Sequence, residues 1–277
     1  MPRRSAFGLT SQSVLCFSCC LLGVLMAESG VAQNVAVAKA AATSFRVDTD
    51  IFFKEKNKEP DKQTLTLFKE GVYYDFAIDE SRDVTVIDPL GSRIIMLSRV
   101  RQIKTTFETA KLAEYVKSVQ QNVSNSSELT KILTSAQKVS EPENNKLLVG
   151  DDTLAYEATM QTAKDESMAA QYADFADWSA RLNTLHFPPF HRLELNRQIV
   201  SRGLLPDTVR RISKHDNQTV VVSKLIVVAG LSRDDEGKLQ AVGRMLHECR
   251  AVSQQEFFSA NPTLTGQSTV PGAGVRK

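Results

Sequence analysis

From Phe45 to Phe107 apolar and polar side chains alternate with a period of two. Phe45, Val47, Thr49, Ile51 and Phe53 interleave with Arg46, Asp48 and Asp50, the pattern of a strand with one buried face. Further strands are expected over 64–68, 72–78, 83–88, 93–98 and 101–107, divided by turns such as Glu70-Gly71 and Pro89-Leu90-Gly91. Connections this short leave no room for crossover helices, so the strands must run antiparallel as a meander. Within it, Val72, Tyr74, Phe76 and Ile78 read as an apolar face opposite Tyr73, Asp75, Ala77 and Asp79.

Beyond Phe107 the period becomes 3.6. Leu112, Tyr115, Val116 and Val119 fall at i, i+3, i+4 and i+7, as do Leu129, Ile132, Leu133 and Ala136, so helices are expected near 108–121 and 127–138. Glu141-Pro-Glu-Asn-Asn145 breaks the pattern and marks a candidate subdomain boundary near 140–146. A strand follows over 154–162, then helices near 167–185 and 189–202, a hairpin of 209–213 with 219–229, and a helix near 234–258. The second hairpin arm is apolar on both sides and belongs inside the sheet rather than at its edge. Met168, Tyr172, Phe175, Trp178, Leu182 and Leu185 form a wide apolar stripe on the 167–185 helix. The fold class expected is α+β: a curved antiparallel meander sheet of about eight or nine strands, a half-barrel, covered by amphipathic helices.

The first 38 residues read as an address. Arg3 and Arg4 precede the apolar run from Val14 to Ala27, and small residues follow, which is the layout of a secretory signal peptide. The run falls short of the roughly 20 apolar residues a spanning helix needs. Gly30-Val31-Ala32 and Ala36-Val37-Ala38 both offer the small residues a signal peptidase reads, so cleavage is expected after Ala32 or Ala38. That leaves a single α+β domain over 39–260 and a Gly/Pro-rich, disordered tail over 261–277. Cys16, Cys19 and Cys20 lack the surroundings of a lipid-modified cysteine, and the location expected is secreted or periplasmic. All three lie in the leader, which makes Cys16-Phe-Ser-Cys19 a decoy for a redox motif and Cys249 the only thiol of the processed chain.

The chain is 42% hydrophobic and 24% charged, with a formal charge of +2. Such a composition excludes a polytopic membrane protein and gives no reason to expect nucleic acid as a partner. Charge is nevertheless segregated. Residues 151–177 carry seven acids against Lys164, a local charge of −6, and residues 181–214 carry seven bases against Glu194 and Asp207, a local charge of +5. Either the two segments neutralise each other or the basic one meets an anionic envelope surface.

No cofactor motif is present. Gly237-Lys238 lacks the spacing and the hydroxyl of a phosphate loop, His247-Glu248 has Ala251 where a zinc-binding helix needs its second histidine, and neither a serine elbow nor a dinucleotide fingerprint occurs. No metal site is expected. His186 and His191, five apart across Pro188-Pro189, could join Asp151 or Asp152 in a site, or simply flank a helix start. Asp48 with Asp50 is a second acidic pair, explained equally well by a solvated strand face. Cys249 lies on an apolar helical stripe and reads as packing. Asn122, Asn125 and Asn217 head glycosylation sequons, which matter only in a eukaryotic secretory pathway.

The segment Leu65-Thr-Leu-Phe-Lys-Glu-Gly-Val-Tyr-Tyr-Asp-Phe76, followed by Val84-Thr-Val-Ile-Asp-Pro89, Arg93-Ile-Ile-Met-Leu97 and the helix after Thr106, resembles the periplasmic outer-membrane lipoprotein carrier superfamily. The resemblance covers roughly residues 45–120 and implies a half-barrel that holds an apolar ligand or a lipid-modified partner. It transfers no ligand residue to this chain. The second half, with Trp178-Ser-Ala-Arg-Leu182 and Phe187-Pro-Pro-Phe-His-Arg-Leu-Glu-Leu-Asn196, resembles instead a family of uncharacterised secreted bacterial proteins.

Three functions follow as expectations. The first is a non-catalytic envelope protein binding an apolar small molecule or a lipoprotein. If the sheet curls around the 167–185 helix and leaves a gap, its lining is expected to be Tyr74, Phe76, Phe175 and Trp178, with Met96 joining if the Pro89-Leu90-Gly91 turn sets its register. The second is a secreted hydrolase built from His186, His191 and the aspartates, and the third a structural envelope protein. Secreted protein is expected to start at Gln33 or Lys39, to contain one thiol and no intrachain disulfide, and to accept one alkyl group after unfolding and reduction. Intact-mass measurement checks this, and retention of Cys16 to Cys20 would contradict it.

Overall fold

The protein is described by a computed structural model covering residues 43–123, 138–141, 145–151, 153–185, 189–213 and 219–259. The first six strands are β1 (Phe45–Phe52), β2 (Lys62–Lys69), β3 (Val72–Ala77), β4 (Val84–Asp88), β5 (Arg93–Ser98) and β6 (Ile103–Glu108), each pairing antiparallel with the next. Helix α1 (Thr109–Val123) follows, then β7 (Lys138–Ser140), β8 (Lys146–Gly150) and β9 (Leu154–Thr162). Helix α2 (Glu166–Leu182) runs into a short 3-10 turn, Asn183–Leu185, before α3 (Phe190–Val200). The hairpin β10 (Leu204–Ser213) and β11 (Thr219–Ala229) leads to α4 (Arg233–Glu248), β12 (Arg250–Ala251) and α5 (Gln254–Ser259).

The twelve strands among the described residues form one open sheet in the order β12-β6-β5-β4-β3-β2-β1-β11-β10-β9-β8-β7. Every pairing is antiparallel except the two-residue contact of β12 with β6. The chain is thus α+β with the expected antiparallel meander. The three strands beyond the nine expected are β7, β8 and β12. Two of these are only three and two residues long, too short to display a period. β8 begins directly after the Pro-Glu-Asn-Asn break and pairs with β7 across it.

The long helix expected over 234–258 is three elements. Cys249 turns to extended geometry, with φ −65° and ψ 133°, at the end of α4. The next residues join the sheet, Arg250 N–H donating to the Gln102 carbonyl at 3.0 Å and Val252 N–H to that of Lys104 at 2.9 Å. The helix expected near 127–138 lies outside the described residues, apart from Lys138 in β7, as do residues 1–38 and the 261–277 tail.

Alternation divides the core between the two faces of the sheet. Phe45, Phe68, Tyr73, Ile87, Ile94 and Phe107 form one continuous cross-strand row, and α2 packs on it through Met168, Tyr172, Phe175 and Ala176. Phe45 and Phe68 stack at 4.0 Å with 8° between their rings, and Phe175 meets Phe68 edge-on at 5.6 Å. Asp165 caps α2 by accepting from Ser167 N–H at 2.7 Å.

On the opposite face Val84, Val86, Ile95 and Leu97 pack against Val242, Cys249, Met245 and Leu246. A capping box of Ser232 and Asp235 starts α4. Arg46 reaches the buried Asp235 at 3.3 Å and Lys69 reaches Glu236 at 2.7 Å, tying this helix to β1 and β2. Burial pushes the Asp235 carboxyl up, but the Ser232 hydroxyl and N–H together with Arg46 outweigh it and hold the group below its ordinary value.

Removing the Phe68 ring deletes a stack and an edge contact where nothing can collapse. Phe68→Ala is expected to cost about 3–5 kcal/mol, against under about 0.5 kcal/mol for the exposed Ile226→Ala. Urea unfolding of both variants measures the difference.

Candidate functional site

The stripe that α2 turns to the sheet changes size along its length. Tyr172 and Phe175 fill the first turns, whereas Ala176, Ser179, Ala180 and Asn183, spaced i, i+3, i+4 and i+7, follow on the groove side. Ala176 still belongs to the core, and beyond it side chains this small leave space above the sheet. Beneath them the strands also carry short groups: Thr49 of β1 lies beside Thr64 of β2 and Leu225 of β11, and Ile51 beside Ser223. The result is a groove of about 560 Å3 between helix and sheet, with Phe53 and Lys62 among its walls. Lys62 Nζ stands 5.8 Å from the Phe53 ring centre.

Two arginines reach this groove. Arg211 of β10 is the cross-strand partner of Tyr156 on β9 and of Val221 on β11, and all three line it. Burial lowers the Arg211 pKa from its ordinary value, with Tyr156 pulling the other way. Arg192 arrives from α3. Its Nε donates to Asn196 Oδ1 at 2.9 Å, and Asn196 Nδ2 donates to Asp177 Oδ1 at 2.8 Å, so a buried amide ties α3 to α2 and aims the guanidinium. Burial raises the Tyr172 hydroxyl, opposed by Arg192 beside it.

Below the groove wall Thr66 donates its hydroxyl to Asp75 Oδ1 at 2.8 Å. Burial pushes this carboxyl up to about 6, and the Thr66 bond offsets only part of that. Asp75 also raises the Tyr172 hydroxyl.

The five expected ligand residues do not share one cavity. Tyr74 and Phe76 pack under α4, in the cluster of Val84, Val86 and Val242, because the sheet seats their neighbour Tyr73 against α2. Phe175 and Trp178 lie on the α2 side, where Phe175 meets Tyr73 edge-on at 6.2 Å. Met96 pairs with Thr85 and Thr105, two residues from Ile94, and so belongs to the α2 side of its strand. Phe175 lines the groove, and Trp178 sits outside it beneath Arg181, whose guanidinium stands 4.8 Å from the ring centre. The Trp178 Nε1 is buried, with no hydrogen-bond partner among the described residues. Phe76 lines a separate cavity of about 580 Å3 beside α4, together with Val84, Val242, Met245, Arg82, Arg99 and Lys238. Asp79 and Glu80 share that lining, so its charges are mixed.

His191 is 1% exposed and its Nε2 lies 3.1 Å from Asp151 Oδ2. Asp151 Oδ1 also accepts from the N–H groups of Thr153 and Leu154 at 2.6 and 2.9 Å. The pair holds the β8–β9 turn to the start of α3 and lines neither cavity. That turn requires Gly150, at φ +152°, since a Cβ there would stand 2.4 Å from the Leu154 carbonyl oxygen. His186 and Asp152 lie outside the described residues. Asp48 is bound by Arg46 at 2.7 Å, and Asp50 accepts from Gln63 at 2.7 Å. Cys249 is buried and free, packed beside Val242. No helix among the described residues is long and apolar enough to cross a membrane, and none of them form a cluster of three metal-ligating side chains.

Among the described residues the segregated charges meet at two ion pairs. Arg210 pairs with Glu157 at 2.8 Å and Arg181 with Asp177 at 3.6 Å, across or within the two segments. Arg192 and Arg211 line the groove. Reading the sequence for apolar stripes missed them, together with Tyr156 and Tyr172 as groove residues. Two signals were available: the run of small residues along α2 and an arginine at an inward position of the Val209-Arg210-Arg211 alternation. No protein-family model matches the chain, and no curated protein matches it.

An acid whose folded pKa exceeds its unfolded value stabilises the fold most when protonated. The contribution of Asp75 is therefore complete below about pH 4 and is lost as the pH rises through about 6. Asp75→Asn is expected to gain about 2–3 kcal/mol relative to the parent between pH 4 and pH 7. Urea unfolding at both pH values tests this, and a pH-independent difference would contradict it.

Proposed function

We propose that this chain is an exported envelope protein that binds a ligand with an apolar tail and does not transform it. The sheet would serve as a half-barrel around α2, and the ligand would be a small amphiphile or the acyl chain of a lipid-modified partner. The observation carrying this reading is the groove itself, which exists because α2 presents Ala176, Ser179 and Ala180 to the strands where a packed core would need large side chains. Ile51, Phe53, Phe175, Val209 and Leu225 give it apolar walls, and its volume lies within the range of small-molecule sites. Among the described residues lining it there is no histidine, cysteine or carboxylate to serve as base or strong nucleophile, which favours binding over hydrolysis. The groove is preferred to the cavity beside α4 because two independent elements, helix and sheet, both offer short side chains there.

Nile red, a neutral apolar dye, serves as the probe. Its fluorescence is expected to rise on titration with the protein, and Ala180→Trp, which fills the groove, is expected to weaken binding by about tenfold or more while retaining the native circular dichroism spectrum. Unchanged dye binding in a folded Ala180→Trp protein would contradict the groove as the site.

A further inference from the structure

Consecutive antiparallel strands place the turns of a meander alternately at its two ends. The β1–β2, β3–β4 and β5–β6 turns therefore share one end of the sheet, and the β2–β3 and β4–β5 turns the other. Each turn at the first end holds out an apolar side chain: Phe53 is 46% exposed, Ile78 51% and Val100 70%. Successive tips are two strands, roughly 10 Å, apart. A lone exposed apolar residue is ordinary, but here three stand in sequence beside basic ones.

The two ends differ in how their charges are engaged. At the opposite end Lys69 is held by Glu236 at 2.7 Å, Arg93 by Asp88 at 3.0 Å and Lys111 by Glu108 at 2.6 Å. At the end with the three tips, the exposed Lys54, Lys56, Lys58, Arg82 and Arg99 form no ion pair among the described residues. Formal charge within residues 53–62, 78–83 and 99–102 nearly cancels, seven bases against six acids, so engagement decides which sign faces outward. Four of the acids are turned back into the fold. Arg210 holds Glu55 at 2.8 Å, Asp61 accepts from Phe53 N–H at 2.7 Å, and Asp79 accepts from the Ser81 hydroxyl at 2.6 Å. Asp83 is half-buried, its carboxyl pushed up by burial against the pull of Ser98 and Arg101.

We propose that this end of the sheet docks on the surface of an anionic phospholipid bilayer, with the three tips entering the headgroup region and the basic side chains meeting lipid phosphates. Apolar insertion and cationic attraction add at such a surface, and each is weak alone. Tips on three separate turns do not make the continuous patch that a protein partner would bury, whereas a fluid headgroup layer accepts each one by itself. Docking goes beyond the reading of the α2 groove and does not require that groove to hold a ligand. It would nevertheless bring the lipid surface to Phe53 and Lys62, which wall the groove.

Co-sedimentation with vesicles of phosphatidylcholine, alone or with about one-third phosphatidylglycerol, tests the surface. The anionic vesicles are expected to bind the protein about tenfold or more tighter. That binding is expected to weaken by about tenfold between about 0.1 and 1 M salt, across which the screening length falls from about 10 to about 3 Å. Val100→Asp and the double variant Lys56→Glu, Arg99→Glu are each expected to weaken it by about tenfold. Leu90→Asp, at a position 67% exposed on the opposite end, is expected to stay within about twofold. Circular dichroism identifies the variants that fold, and either test variant suffices. Equal binding to the two kinds of vesicle, unchanged binding in a folded test variant, or an equal loss in Leu90→Asp overturns the docking surface. A dimer seen by sedimentation velocity without vesicles and dissociated by Val100→Asp, with no vesicle binding, overturns it too and assigns this end to a second copy of the chain. Nile red binding in the α2 groove, which none of the substituted residues lines, is expected to be the same in every variant. Vesicle binding without Nile red binding would support the docking surface and overturn the groove.

Discussion

Phe68 stands where three strands and a helix must agree. Its ring lies flat on Phe45 of the neighbouring strand and tilts against Tyr73 of the other, with Tyr172 and Phe175 of α2 closing over it. Because side chains in a strand alternate in direction, fixing these rings on one face fixes every other residue of β1, β2 and β3. A shift of one residue would bring Arg46 and Leu67 under the helix and turn Phe45 and Phe68 away from it. In the native register Arg46 is free to meet Asp235 on the opposite face. The aromatic cluster therefore sets both the packing of α2 and the docking of α4, two helices that lie on different sides of the sheet.

The same helix that completes this cluster also ends it. Past Phe175 the α2 surface loses its large side chains, and the strands below carry threonine and serine in place of phenylalanine. Well-packed interiors rarely leave such space, and here it is bordered by guanidinium groups. The core thus passes, within two turns of one helix, from tight aromatic packing to a polar-rimmed gap.

Much of the architecture was legible in the sequence because it follows from local periodicity. The meander from Phe45 to Phe107, the central position of β11 and the stripes of α2 and α4 all rest on patterns several residues long. The break at Cys249 was not legible, since an extended residue between two helical stretches preserves an apparently continuous stripe. Tyr74 and Phe76 were correctly grouped as one face of β3, but no periodicity says which of two apolar faces meets which helix. That choice depends on Phe68 and on ion pairs such as Lys69 with Glu236, contacts between residues far apart in the chain. The groove escaped notice for a related reason: it is made by small side chains, which leave no hydrophobic signal.

β1 lies between β2, its sequence neighbour, and β11, which ends at Ala229. Nearly the whole domain intervenes between the two partners on that second side. Loop closure across such a separation carries a large entropic cost before any contact rewards it, and topologies of this kind fold slowly. The N-terminal meander can form from local hairpins, yet one side of β1 stays without its native neighbour until the last long strand arrives. An open strand edge is a template for pairing with other chains. The time a newly made molecule spends in that half-built state therefore sets its exposure to aggregation, and the β1–β11 seam is the event that ends it.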